Sequence, residues 1–258
     1  MDIRSFNVDQ LLVKVFSSRA AMGFEAAAEA AEVLRSAIRE KGSARVIVAS
    51  APSQDELIAG LVEAPDLDWS KVTVFHMDEY VGVSAAEPAS FRGYQEQHLL
   101  SHVKPAAFHG IRGEAADPEA ECARYASLLA EGPIDLVGMG VGENGHIAFN
   151  DPPVADFADP RLVKVVELDE VCRQQQVNDG CFPNLDSVPR QAITLTCPTL
   201  MSGGVLICVV PGPRKAEAVA AMLLGEVSTA CPASVLRRHP AATLFLDVDS
   251  ASRIEPRR

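Results

Sequence analysis

The sequence predicts an α/β fold: a Rossmann-like, mostly parallel sheet with helices on both faces. Three observations carry this. Short apolar runs rich in β-branched residues recur along the chain, as strands buried on both faces require. Stretches with helical composition and spacing separate most of them. Polar and glycine-rich segments fall at the ends of those runs, where open α/β sheets bind their ligands.

Taken in order, Ser18 is a suitable N-cap for a long helix through "RAAMGFEAAAEAAEVLRSAIREK", and Gly42 is a natural stop. Ala26, Ala30, Val33, Ala37 and Ile38 fall on one face of it. "RVIVAS" follows as a buried strand, "SQDELIAGLVEA" as a helix, and "KVTVFHMDEY" as a strand running into polar residues. "SFRGYQEQHLLSHV" and "DPEAECARYASLLAEG" are helical, and "IDLVGMG" is a strand. Later, "QAITLT", "GVLICVVPG" and "AATLFLDV" are strands, with the helix "PRKAEAVAAMLLG" between the last two. Right-handed crossovers would place helices on both faces of such a sheet. With no internal repeat and no linker, residues 1–258 are expected to form one domain. Its least regular stretch, 152–189, could form a lid.

Composition narrows the function. The chain has 258 residues, 48% hydrophobic, with a formal net charge of −12. No basic patch offsets that charge, which argues against a nucleic-acid partner. No stretch approaches membrane-spanning length. The six cysteines form no C-x-x-C pair, so a zinc ribbon or thioredoxin motif is not expected, and the chain is read as cytoplasmic with reduced thiols.

The chemistry concentrates in "IDLVGMGVGENGHIAFNDPP". Gly140, Gly142 and Gly145 match G-x-G-x-x-G formally. A dinucleotide site needs a helix directly after that motif, and Pro152 and Pro153 punctuate the chain instead, so no nicotinamide cofactor is expected. The glycines are better suited to a tight turn and a close backbone approach to a ligand. His146 follows this turn with Asn144 and Asp151 near in sequence, a credible general acid–base with an amide and a carboxylate to orient it. Asp78 and Glu79, at the end of another strand, supply two further carboxylates, one of which could act as a base. His76, Asp78, Glu79 and His146 could also be metal ligands, but no metalloenzyme spacing supports this, and no metal is expected. The basic pair Arg214 and Lys215 follows a fourth strand end.

Together, "FHMDEYVG", "GMGVGENGHIAFNDP" and "LICVVPGPRKAEAV" resemble the glucosamine-6-phosphate deaminase (isomerase) family, in an order and separation that extend roughly from Ala20 to Leu246. The resemblance implies a sugar-phosphate isomerase/deaminase-like domain, with a fold shared with ribose-5-phosphate isomerases and related to CoA transferases. It implies conversion of glucosamine 6-phosphate and water to fructose 6-phosphate and ammonia, without cofactor or metal. By position, Asp78 matches the carboxylate that moves a proton between C2 and C1, and His146 the residue that opens the pyranose ring. Asn144 and Asp151 match the positions that orient that histidine, and Lys215 matches a phosphate-contacting lysine. Ser53, Gln54, Glu79, Arg92, Gly142 and Gly145 complete the expected substrate-binding set. A sugar phosphate is the expected partner, and homo-oligomerisation stays open.

The sequence departs from the family pattern in places. Asn144 stands where some members have Asp, and Asp151 where Glu is usual. In place of the family's Thr-Gly-Gly/Ser-Thr-Pro phosphate loop, this chain has Pro52-Ser53-Gln54-Asp55, and Asp55 would repel a phosphate unless it points away. "DEVCRQQQVND" offers Gln where a phosphate-binding Arg is expected, leaving Arg92 and Arg173 as candidate replacements. Two other readings stay open. One is a 6-phosphogluconolactonase-type hydrolase, although that family's loop typically reads Asp-Gly-His-Thr-Ala-Ser. The other is a non-catalytic sugar-phosphate sensor, motivated by the altered loop.

Overall fold

The computed structural model describes residues 2–178 and 180–254. Among the described residues, the main sheet contains eight of the eleven strands. In chain order these are β1 (Asp2–Val8), β2 (Leu11–Phe16), β3 (Ala44–Val48), β4 (Val72–His76), β6 (Ala107–His109), β7 (Leu136–Met139), β10 (Val205–Val210) and β11 (Ala242–Asp247). A second, three-stranded sheet contains β5 (Asp78–Tyr80), β8 (Val163–Glu167) and β9 (Gln191–Leu195). The helices are α1 (Arg19–Lys41), α2 (Asp55–Val62), α3 (Phe91–Gln95), α4 (Pro118–Leu129), α5 (Glu170–Asn178), α6 (Cys197–Met201) and α7 (Ala216–Leu224).

The spatial order of the main sheet is β1-β2-β11-β10-β7-β3-β4-β6, with every pairing parallel except that of β1 with β2. Its strands are buried on both faces, and the two-residue alternation of side chains divides them between two cores. Val46 and Val48 of β3, Leu136 of β7 and Val209 of β10 pack with α1 and α2. Ile47, Val137 and Val210 face the other way, toward α4, α7 and the small sheet. Helices thus flank both faces, as the sequence predicts.

Helix α1 starts at Ser18, whose side chain accepts from the Ala21 N–H, and stops at Gly42 in the left-handed region, φ 83°. Gly23 and Gly60 let α1 and α2 approach closely: a Cβ on Gly23 would lie 2.2 Å from Glu56 Cβ, and one on Gly60 2.5 Å from Ala27 Cβ.

Four elements differ from the expectation. The β1–β2 hairpin, unassigned from sequence, turns at Asp9 (φ 52°) and adds two strands at the edge of the sheet. "KVTVFHMDEY" is not one strand: the chain leaves the main sheet at Met77, and Asp78 begins β5 in the small sheet, opposite Thr194 of β9. The helix expected from Ser90 continues beyond α3 only as a π-helical turn, Glu96–Leu100. The irregular stretch 152–189 contains β8 and α5, and β8 pairs antiparallel with β9.

Tyr125 of α4 fastens the end of β4. Its hydroxyl accepts from the His76 N–H (3.0 Å) and has the carbonyls of His76 (2.8 Å) and His109 (2.9 Å) to donate to. The residue is fully buried. Tyr125→Phe should therefore strand a buried N–H and lower unfolding free energy by about 1–3 kcal/mol in urea titrations. An unchanged midpoint and slope would show that the hydroxyl is dispensable.

Candidate active site

The main sheet has a topological switch point between β3 and β7. From β3 the chain proceeds to β4 and β6 on one side, and from β7 to β10 and β11 on the other. The two strands pair in parallel, Val48 opposite Gly138, and the Ala49 N–H extends the pairing to Gly138 O (3.0 Å). Their following loops diverge, and a crevice opens between them. A cavity of about 330 Å³ occupies it. It is lined by Ser50 to Gln54 after β3, Met77 and Asp78 after β4, Gly140 to Gly142 after β7, and Pro211 to Lys215 after β10. His146, Ala148 and Phe149 line it further along the β7 loop, Gln175, Gln176 and Cys181 border it in and after α5, and Arg19 begins α1.

The glycine loop is built around the histidine. The Gly142 N–H bonds the His146 carbonyl (2.9 Å), and the Gly145 N–H bonds that of Gly142 (3.0 Å). Gly145 has φ 85°, a conformation that favours glycine, and its missing Cβ makes room for Cys231 Sγ, 2.7 Å from where that Cβ would be. At Gly142 a Cβ would lie 2.2 Å from His146 Cε1, so the ring rests directly on that backbone. Ala148, also at the cavity, has a left-handed φ of 48°.

His146 Nδ1 lies 2.9 Å from Asp151 Oδ1. Asn144 holds both partners: its Nδ2 donates to Asp151 Oδ1 (2.8 Å), and its Oδ1 accepts from the His146 N–H (3.0 Å). Asp151 is fully buried. Burial pushes its carboxyl up, but the His146 ring, the Asn144 amide and the Cys172 thiol outweigh that and hold it below the ordinary range. An ionised Asp151 fixes Nδ1 as the protonated nitrogen and leaves Nε2 to act on a ligand.

Asp78 and Glu79, adjacent in sequence, have opposite environments. Asp78 faces the cavity, and burial, reinforced by the neighbouring Glu79, pushes its carboxyl well above the usual value. Glu79 is turned away and fully buried. It accepts from the N–H groups of Tyr80 (3.0 Å), Phe91 (3.1 Å) and Arg92 (2.9 Å) and from the Ser90 hydroxyl (2.8 Å). It anchors α3 and does not line the cavity.

The anion-facing side of the cavity differs from the expectation. Arg92 does not reach it; its guanidinium pairs with Glu114 (2.8 Å). Arg173 donates to the carbonyls of Leu185 (2.6 Å) and Val188 (3.1 Å). Gly145 shapes the loop without lining the cavity. Ser53, Gln54, Gly142 and Lys215 do line it. Gln54 Nε2 bonds Ser53 Oγ (3.1 Å) and Val209 O (3.2 Å), in space that a side chain at Gly140 would fill. Asp55 points away, accepting from Tyr94 Oη (2.6 Å). Lys215 follows a turn fixed by Gly212 (φ 87°), whose N–H bonds both Asp247 carboxylate oxygens (3.1 and 3.0 Å).

Sequence reasoning missed Arg19. This residue lines the cavity while its guanidinium bonds Glu56 (2.6 Å) and the Pro52 carbonyl. Its signal was the strand β2 just before it, which places Arg19 at a strand's carboxyl end.

The alternative metal set does not assemble. His76 is fully buried, and its Nε2 accepts from the Ile111 N–H (2.8 Å). Burial, helped by Arg92, lowers its pKa to about 3. Glu79 is occupied by its four donors.

Fold and site together define an α/β enzyme whose cavity lies at the switch point of its sheet. The chain belongs to the family of glucosamine-6-phosphate isomerases and 6-phosphogluconolactonase, whose pattern matches residues 17–245. It is 36% identical over 221 residues to a glucosamine-6-phosphate deaminase of Bacillus cytotoxicus, covering 86% of this chain and 82% of that one. With the enzyme of the same name from Lactobacillus delbrueckii subsp. bulgaricus it shares 35% identity over 224 residues, covering 87% and 93%. A solved structure of a monomeric glucosamine-6-phosphate deaminase superposes with a TM-score of 0.85 at 32% identity, covering 93% of this chain and 99% of that one. A 6-phosphogluconolactonase from Shewanella baltica has the same fold, TM-score 0.77 at 21% identity, covering 94% and 100%.

The two adjacent carboxylates should separate in stability measurements. Glu79→Ala should cost at least about 3 kcal/mol in urea unfolding, since each stranded buried donor costs about 1–3 kcal/mol. Asp78→Asn should be neutral or stabilising. Because the folded pKa of Asp78 is raised, its contribution is fully present below the ordinary value of 3.8 and is lost as pH rises through the folded pKa. The variant's advantage should therefore be absent at low pH and grow above it. Equal losses in both variants would contradict this division of roles.

Proposed function

We propose that this protein is a glucosamine-6-phosphate deaminase: it converts glucosamine 6-phosphate and water to fructose 6-phosphate and ammonia. The observation that carries this reading is the pairing, at one cavity, of a buried, proton-hungry Asp78 with the His146–Asp151 dyad. Relatives of that name at 35–37% identity over most of the chain support the substrate.

Each step of the reaction has a residue suited to it. Ring opening needs one proton delivered to the ring oxygen and one taken from the anomeric hydroxyl. A neutral His146, with Nδ1 on Asp151, can do both through Nε2. The aldose–ketose shift then moves a proton from C2 to C1. Asp78 suits this: burial makes it a stronger base than an exposed carboxylate and keeps its proton from exchanging with bulk water. Loss of the C2 proton and gain of one at C1 turns the amine-bearing carbon into an iminium. Water adds there, and ammonia leaves.

On this reading Arg19, Lys215 and Ser53 hold the phosphate. Arg19 would replace the missing family arginine from a different element, the first turn of α1. Asp55, turned onto Tyr94, does not oppose the anion. We further read residues 152–189 as a cap continuous with a single domain, since Gln175 and Gln176 of its helix border the cavity. We place the reaction in the cytoplasm, where the six cysteines, none of them in a disulfide, would stay reduced. Among the described residues, no helix is long and apolar enough to cross a membrane.

Ammonia should be released from glucosamine 6-phosphate and not from glucosamine, and 6-phosphogluconolactone should not be hydrolysed; lactone hydrolysis without ammonia would overturn the assignment. Asp78→Asn should lower kcat by at least about 10³-fold, while Arg19→Met and Lys215→Ala should each raise KM about tenfold or more with a smaller effect on kcat. A kcat loss alone in the last two would remove them from the phosphate site.

A further inference from the structure

One side chain beside the dyad touches no reacting atom in the proposed reaction. Cys172, on α5, is 1% exposed. Its Sγ, a ring nitrogen of His146 and a carboxylate oxygen of Asp151 all lie within 4.8 Å of one another. The second oxygen of Asp151 is buried with no hydrogen-bond partner among the described residues.

We propose that His146, Asp151 and Cys172 form an inhibitory site for a thiophilic, tetrahedral divalent cation, with Zn²⁺ the best fit, which silences the histidine by occupying the nitrogen that Asp151 otherwise orients. The inference goes beyond the deaminase reading: the binding site stands on its own geometry, and only its inhibitory effect rests on the role given there to His146. The cation is an inhibitor here, not a participant in the reaction.

The donor set selects the ion. One imidazole nitrogen, one carboxylate oxygen and one thiolate suit zinc or cobalt, whereas magnesium and calcium require oxygen ligands. Zinc bonds of about 2.0–2.3 Å place neighbouring ligands of a tetrahedron roughly 3–4 Å apart. His146 Nδ1 and Asp151 Oδ1 are already 2.9 Å apart, so small side-chain movements complete the triangle. Three protein ligands leave the fourth position open, and His146 borders the substrate cavity, which gives the ion a route in.

The chemistry balances without electron transfer. The Cys172 S–H bond breaks, its proton goes to solvent, and the sulfur forms a bond to the cation. The proton on His146 Nδ1 shifts to Nε2 as Nδ1 takes the cation, which stays divalent. With the cation on Nδ1, Nε2 carries a proton that it cannot pass on, and shuttling stops.

The test uses the full chain, stripped with EDTA, and Co²⁺ as a spectroscopic probe. One equivalent of Co²⁺ should give visible tetrahedral bands and a near-ultraviolet thiolate charge-transfer band, both displaced by Zn²⁺. Cys172→Ser and Cys172→Ala should lose the charge-transfer band, and Asp151→Asn should weaken binding at least about tenfold. In turnover assays, each protein measured against its own EDTA-treated rate, Zn²⁺ should inhibit the parent reversibly, and the Cys172 variants should need at least about tenfold more. Absence of the charge-transfer band in the parent, or its survival in folded Cys172 variants, would overturn the site. The spectrum is read without substrate, so the deaminase assignment can fail and leave this result standing.

Discussion

Everything at the candidate site depends on the reversal of chain direction between β3 and β7. The two strands are hydrogen-bonded neighbours, yet the chain leaves them toward opposite edges of the sheet. No crossover covers the gap between their carboxyl ends, and the sheet's twist opens it further. The loops that flank this gap are free of ladder duties, so they can carry polar groups. The Ser50–Gln54 loop and the glycine loop with His146 fill those two positions. Gln95 of α3 reaches the first of them, donating to Ala49 O (3.0 Å) and Ser50 Oγ (2.8 Å), which ties a helix from across the site to the strand end.

The second constraint is the exit of the chain from the main sheet at Met77. Had "VTVFHMDEY" continued as one strand, Asp78 would have remained in a ladder between neighbours of the main sheet. Instead the Leu195 N–H takes the Met77 carbonyl (2.9 Å), and Asp78 becomes the first residue of an edge strand in the small sheet. An edge position presents a side chain to the cavity while its backbone stays paired. The small sheet therefore has a purpose that its size hides: it holds Asp78 at the cavity that His146 also lines.

The main sheet and the long helices were legible because their signals are local. Runs such as "RVIVAS" and "LICVV" are strands in any context that buries both faces, and Ser18 and Gly42 end a helix by their own backbone chemistry. The dyad was legible for the same reason, since Asn144, His146 and Asp151 lie within one loop. Elements whose identity depends on distant partners were not. β6 is three residues long and only half-buried, and β8 carries Lys164 and Glu167 among its valines, so neither shows the continuous apolar run of a buried strand. The hairpin β1–β2 did carry a signal, the alternation of Leu11, Val13 and Val15, all buried. Missing it concealed Arg19, because the residue looked like an exposed first turn and not the end of a strand. Arg92 and Arg173 were attractive by proximity in sequence, but charge alone does not decide where a guanidinium goes. Glu114 and two loop carbonyls compete for them, and those partners are visible only in three dimensions.

Asp78 and Glu79 show why satisfaction of polar groups separates structural from functional carboxylates. They are neighbours on one strand, so the pleat sends them to opposite sides. Both are buried, and burial raises both. Glu79 meets four donors, which partly offset the cost of its charge and turn it into a fastening for α3. Asp78 meets no compensating donor among the described residues, and a second carboxylate lies beside it. A fold selected for stability alone would place an amide or an apolar residue there. Keeping an unsolvated carboxylate at a cavity costs the fold free energy, and what the molecule gains is a base with an appetite for a proton. The same logic sets the two acids of the site apart. His146, Asn144 and Cys172 hold the Asp151 carboxyl below its ordinary range, whereas Asp78, without such donors and beside Glu79, is pushed well above it.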